Sequence, residues 1–420
     1  MDSSTLYVFI NFIFYVVICF VTYIKSDYKL TGGLFLFILF GFSALCSFLF
    51  HTHPLTALSE FNYKHNWEAF VYYAIINVLM ITPLVEFEKN RTPKVKPINE
   101  NDIITILKIL LLLQIIAYII ITPVVFYNLT HDMGDIRNAS YEGELSSARK
   151  NLSWVASMFQ QTYMSFRNIT FIISLYAFFF IKKNKKIVAS SLVLSALYPI
   201  YSSVFYVMRS YILFQIYYLV FFFILFRNQI QPKLRKKIII YSLIPLGLIV
   251  SFMIMVSNSR FDSMASWFYY RYSGEMFLNF SGELWPNLQG STHGSAYFTW
   301  FLNEHNWNDL TGKWEYIRNI TKIDPHIFYG YVGGLSIEFG FILTFFIILF
   351  LAIFIRLSLN KTYISLSKML IIGYFAHILI DGTAVFSVQG WGNLELLLFI
   401  LGYIYIKKKE KKYLLTYKTY

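Results

Sequence analysis

The chain has 420 residues, 57% hydrophobic and only 14% charged, with a mean hydropathy of +0.53. A soluble domain carries about 25% charged residues, so a soluble class is excluded and an integral membrane protein is expected. The net charge of +13 would suit nucleic acid, but the basic residues sit in short loops between apolar runs, which makes them a topology signal and an attraction to anionic lipid heads.

A crossing helix needs about 20 mostly apolar residues. Eleven runs are candidates: residues 6–24, 30–50, 69–87, 108–127, 162–181, 187–206, 211–226, 238–257, 331–355, 369–386 and 394–406. The first has no positive residue before it and is longer than the apolar core of a signal peptide, about 7–15 residues, so it reads as a span. Cys19 and Cys46 both lie in apolar runs and imply no disulfide framework. The expected fold is all-α, a polytopic membrane helical bundle of about eleven transmembrane helices forming a single integral membrane domain over residues 1–420.

If the first span runs from outside to inside, 25 of the 36 basic residues fall on the cytoplasmic side. They include Lys182, Lys183, Lys185 and Lys186, then Arg235, Lys236 and Lys237, and the tail from Lys407 to Lys412. The positive-inside rule therefore predicts an external N-terminus and a cytoplasmic C-terminus. Two outer loops exceed a turn, 128–156 and 258–329. The second is rich in tryptophan, arginine and histidine, and long loops of this kind are usually functional. Its stretch 266–280 reads as a short amphipathic helix at the interface, with Trp and Tyr at headgroup level.

Several charges stand where charge is costly. Arg167 lies about one and a half turns inside its span, and Arg209 occupies the tight turn before the span 211–226. An arginine in the membrane costs roughly 2.5 kcal/mol or more unless it snorkels or finds a partner. Snorkelling to lipid phosphate is the plain alternative for both. Arginine suits a diphosphate because its planar fork donates two parallel hydrogen bonds. Glu338 lies about two turns inside the span 331–355, where an arginine of the long loop or Arg209 would pair with it. His377 and Asp381 are four apart and share a helical face. They read as a proton relay or as a pair joining two helices. The second reading is favoured, since no further buried acid stands nearby in sequence.

The chain has no HExxH, CxxC, nucleophile elbow or phosphate-binding glycine loop, so metal ligation, a serine hydrolase and ATP-driven chemistry are unsupported. What remains on the outer side is a set of arginines, histidines, acids and tryptophans. Arginines stabilise a diphosphate leaving group. A His or Glu takes the proton of an attacking hydroxyl. Tryptophans stack on sugar faces. This is the minimal set for metal-free glycosyl transfer from a polyprenyl diphosphate.

At this point the sequence resembles the oligosaccharide repeat-unit polymerases of the Wzy type, which share features with O-antigen ligases. Met208-Arg209-Ser210 before an apolar span is similar to a turn those proteins carry. Tyr270 to Phe280, reading YRYSGEMFLNF, is similar to an element of the polymerase loop. Gly282 follows Arg271 at an RX10G spacing. His326 and the run GGLSIEFG from Gly333 to Gly340 are similar to the entry into the following span. In the first outer loop, neither Arg137 nor Arg149 has a glycine at that spacing.

The resemblance implies a GT-C-like helical fold in the bacterial cytoplasmic membrane. The implied reaction polymerises undecaprenyl-diphosphate-linked oligosaccharide repeat units into O-antigen or capsule without a cofactor. The partners would be the lipid-linked oligosaccharide, membrane lipids and a chain-length regulator protein, with no nucleic acid. The implied site has Arg209 on the diphosphate, Arg271 and Arg260 lining the donor or acceptor site, and His326 as base with His293 as rival. Glu338 would stand with the catalytic groups, and Arg318, Arg167 and Arg137 would complete the anionic substrate site. The alternatives are an O-antigen ligase and a lipid-linked oligosaccharide flippase.

Overall fold

The computed structural model describes residues 2–59, 61–90, 98–131, 152–206, 210–243, 247, 251, 265–299, 301, 310–325, 328–360 and 363–418. Among them the chain is helical without strands, a polytopic bundle as expected from the composition. The elements are α1 (Ser3–Lys25), α2 (Gly32–His51), α3 (Trp67–Asn90), α4 (Glu100–Thr130), α5 (Trp154–Phe180) and α6 (Lys185–Tyr206). Then come α7 (Ser210–Phe226), α8 (Ala265–Asn279), α9 (Leu310–Thr321), α10 (Gly330–Leu359), α11 (Leu366–Asp381) and α12 (Trp391–Lys418). Eight of the described helices, α1 to α7 and α10, are long and apolar enough to cross a membrane. The eighth expected span, 238–257, falls mostly outside the described residues.

Hydrogen bonds and ion pairs sort the helix ends into two groups. One end of the bundle is lysine-rich. There Glu88 of α3 accepts from the Gly32 amide that starts α2, at 2.7 Å, and Arg356 of α10 pairs with Glu86 at 2.9 Å. Lys409 of α12 pairs with Asp102 of α4 at 3.1 Å. At the opposite end Thr5 of α1 meets His51 of α2, and Asn128 of α4 donates to carbonyls at the end of α6. The long helices therefore run alternately up and down. α1 lies on the outside, with Ile10, Val17 and Phe20 exposed. In a membrane protein such a face meets lipid.

α11 differs from its expected span. It ends at Asp381, because Gly382 caps it and the following residues turn back. Phe386 then packs under the opposite-end loop against Tyr297 and Phe298. α12 is correspondingly longer than its expected span and runs through the basic tail. Its Glu410 caps the first turn of α11, accepting from the Ser367 amide at 2.9 Å and hydroxyl at 2.8 Å.

α8 is the second difference. Rather than lying at the interface, it is built into the bundle against α2. Ser43 and Ser47 of α2 each donate a hydroxyl to a carbonyl of α8, those of Ser273 and Gly274, at 2.5 Å. Small residues on both helices permit this approach. The apolar run Met276–Leu278 that follows is buried, and Phe277 packs on Tyr15 and Tyr73. Trp267 does not face headgroups; it is buried and donates to Thr56 at 2.9 Å. The helix passes through a π-helical turn, Phe280–Leu284, whose Gly282 abuts the Tyr63 side chain.

α10 is broken at Gly340, which has φ +71°. The left-handed conformation is one that only glycine adopts freely. Tyr72 of α3 donates its hydroxyl to the Phe341 carbonyl at 2.7 Å, which satisfies one backbone group at the break.

Candidate functional site

The opposite end of the bundle holds a buried polar crevice between α5, α6, α7 and α11. Arg167, Asn168, Pro199, Tyr211, Gln215, Tyr218, His377 and Asp381 line it, with Phe214 and Ile380. It encloses about 10 Å³, room for one water-sized oxygen. Helix geometry explains the convergence. α7 starts here, α11 ends here and α12 starts beside it, so Tyr211, Asp381 and Glu395 all come from helix ends. Arg167 and Asn168 come from the middle of α5.

His377 stands between two carboxylates. Its Nδ1 lies 3.4 Å from Asp381, and its Nε2 lies 3.7 Å from Glu395 on α12. Asn168 holds Glu395 by an amide hydrogen bond of 2.6 Å. His377, Asp381, Glu395 and Asn168 are each less than 8% exposed. Tyr218 donates to the Gly373 carbonyl one turn before His377, at 3.0 Å, and fixes α11 against α7. Among the described residues no His, Cys, Asp and Glu side chains gather in threes around a point that a metal ion could occupy. Here the imidazole separates the two carboxylates.

Arg167 does not snorkel. Its Nε and Nη1 have no exposed surface and no hydrogen-bond partner among the described residues. Its guanidinium is covered by the Tyr211 ring, 5.2 Å from the ring centroid, a cation–π contact. Glu395 and Asp381 attract it from a distance. A buried charged donor without a partner costs about 1–3 kcal/mol or more, so this edge of Arg167 is an energetic exception in the bundle.

The other sequence candidates lie elsewhere. Arg137, Arg209, Arg260 and His326 lie outside the described residues. Glu338, expected beside an arginine, is instead fully buried and anchors the loop before it. Its carboxylate accepts from the Thr292 hydroxyl at 2.7 Å and from the Tyr297 amide. Each of its two oxygens accepts from the loop, which it ties to α10. Its neighbouring cation is Lys313 of α9, whose ammonium sits 4.6 Å from the centre of the Tyr297 ring. Burial pushes Lys313 down to about 8, and the charge of Glu338 opposes that shift.

His293 follows Thr292 in the same loop. Its ring is exposed, its backbone has φ +51°, and its contact is with Ser291 at 3.3 Å. Arg271 is neutralised within α8 by Glu275, 2.8 Å away, and lies 4.3 Å over the Phe61 ring. Arg318 pairs with Asp324 at 3.1 Å, both nearly half exposed. Among the described residues these groups share no contact with the Arg167 crevice. The structure thus joins Arg167 to His377 and Asp381, and separates them from His293, Arg271, Arg318 and Glu338.

Sequence reasoning missed Glu395, Asn168 and Tyr211. The missing signal for Glu395 was in plain view: it is an acid next to the start of the apolar run 394–406, so it belonged with the costly membrane charges. It is also the second buried acid whose absence had argued against a relay at His377.

No family model, curated protein or solved structure matches the chain.

Proposed function

We propose that this chain is a polysaccharide polymerase of the bacterial cytoplasmic membrane, with the Arg167 end outside. It joins lipid-linked oligosaccharide repeat units by glycosyl transfer without a metal. The observation that carries the reading is the unpartnered guanidinium edge of Arg167, held in the middle of α5 beside a buried carboxylate–imidazole set. A fixed cation in a low-dielectric site stabilises the charge that develops on a departing diphosphate. The resemblance of the loop and span-entry residues to repeat-unit polymerases supports the same substrate class, and the positive-inside rule supports the orientation.

The Tyr211 ring lies against the guanidinium of Arg167, and the crevice admits one oxygen. Arg209, two residues before Tyr211 in sequence, would supply a second cation for the same diphosphate. Glycan and isoprenoid would remain above and beside the crevice.

Deletion of the gene should leave single repeat units on the lipid at the outer face. Complementation with the wild-type chain should restore long polymer, and Arg167→Gln, present in the membrane at normal level, should not. Normal polymer from Arg167→Gln would defeat the site. Long lipid-linked polymer in the deletion would indicate a ligase. A transporter is the second reading, favoured by the imidazole between two membrane carboxylates. Repeat units stranded on the cytoplasmic face would establish it.

A further inference from the structure

We propose that Asp381 is the general base of this transfer, with His377 and Glu395 as positioning residues. The inference rests on the polymerase reading above. Asp381 and Arg167 line the same crevice, so the one oxygen that it admits, taken here as the acceptor hydroxyl, meets an acceptor of its proton near the cation that faces the leaving group.

The two acids flanking His377 stand in opposite helix fields. Asp381 is the last residue of α11, where the negative end of the helix dipole disfavours a carboxylate. Glu395 lies near the N-terminal end of α12, where the dipole favours one, and Asn168 donates to it. A buried acid at a helix C-terminus, only 5% exposed, weakens the fold. Asp381 faces the crevice beside Arg167, while Glu395 is held away from it by Asn168. His377 stands between them, its two ring nitrogens facing the two carboxylates.

The step balances without a further reactant. The acceptor sugar oxygen forms a bond to the anomeric carbon of the donor glycan. The bond from that carbon to the diphosphate oxygen breaks, and its electron pair leaves on the diphosphate, toward Arg167. The hydroxyl proton passes to the Asp381 carboxylate. Release of that proton to water as the products leave restores the carboxylate, which His377 Nδ1 faces at 3.4 Å.

The test uses the full chain in liposomes with undecaprenyl-diphosphate repeat units extracted from the deletion host. Asp381→Asn should lower kcat at least 100-fold while KM changes less than threefold. His377→Gln and Glu395→Gln should lower kcat about 10-fold to 100-fold, and Glu395→Asp should recover part of it. Arg167→Gln should raise KM as well. If Asp381→Asn does not fold, Asp381→Ala is measured with sodium formate, which should restore activity at least 10-fold. A wild-type chain that polymerises while Asp381→Asn keeps pace with it overturns this role and leaves the polymerase reading standing. A folded Asp381→Ala that formate does not rescue also overturns it. A wild-type chain that does not join the repeat units removes the reading, and this role with it.

Discussion

Gly274→Ala should separate α8 from α2. A Cβ at this position would lie 2.2 Å from the Ser47 amide nitrogen and 2.5 Å from the Cys46 carbonyl carbon. Both are backbone atoms, so no side-chain rotation relieves the clash. Ordinary contact begins near 3.4 Å, so the helices must part by about 1 Å. That stretches the two Ser hydroxyl bonds, now 2.5 Å, past useful length. Each is worth about 0.6 kcal/mol in a membrane, and loosened packing around Phe277 and Leu278 adds about 1–2 kcal/mol. The expected destabilisation is about 2–3 kcal/mol. Cys46 reports it directly, because its thiol lies at this contact and is 4% exposed. In a Cys19→Ser background, Gly274→Ala should react with maleimide much faster than the parent and melt several degrees lower in detergent. Unchanged labelling and melting would refute the claim that this close contact holds α8 in the bundle.

Three further outcomes are expected. Glu338→Ala should open the loop 292–298 to hydrogen exchange, since it leaves the Tyr297 amide and the Thr292 hydroxyl without their acceptor; Glu338→Gln should keep most polymer formation, and its complete loss would restore Glu338 as a catalytic group. Gly340→Ala should cost about 1–2 kcal/mol from backbone strain alone, because φ is +71° and nothing crowds the site, so a wild-type melting curve would refute the break in α10. Lys313 is held below its ordinary value, so between about pH 8 and its unfolded value the unfolded chain binds more protons. Stability from this group therefore rises with pH across that window, by at most about 1.4 kcal/mol per pH unit. Lys313→Met should abolish the rise in melting temperature.

Much of the fold was legible because membrane crossing imposes a length and an apolar composition that few other structures share. The runs before residue 227 became helices with small changes at their ends. α8 was not legible, because its aromatic and polar mixture matches an interfacial helix as well as a buried one. Only the serines of α2 show which it is, and they are more than 200 positions away. The site divided in the same way. Arg167 announced itself as a charge inside an apolar run. Its partners His377, Asp381 and Glu395 lie on two later helices, and contact between helices is not written in either one. Glu338 looked similar to Arg167 in sequence, yet its acceptors are filled by backbone and hydroxyl donors of a loop whose path periodicity does not reveal.

α12 grips α11 at two places. Glu395 meets His377 near one end, and Glu410 caps Ser367 at the other. The two acids are separated by about 22 Å of helix. α11 can neither slide along α12 nor roll against it without losing one grip. The two helices therefore move as a single strut, and a push on the basic tail at the lysine-rich end is delivered to the imidazole at the far end of the bundle.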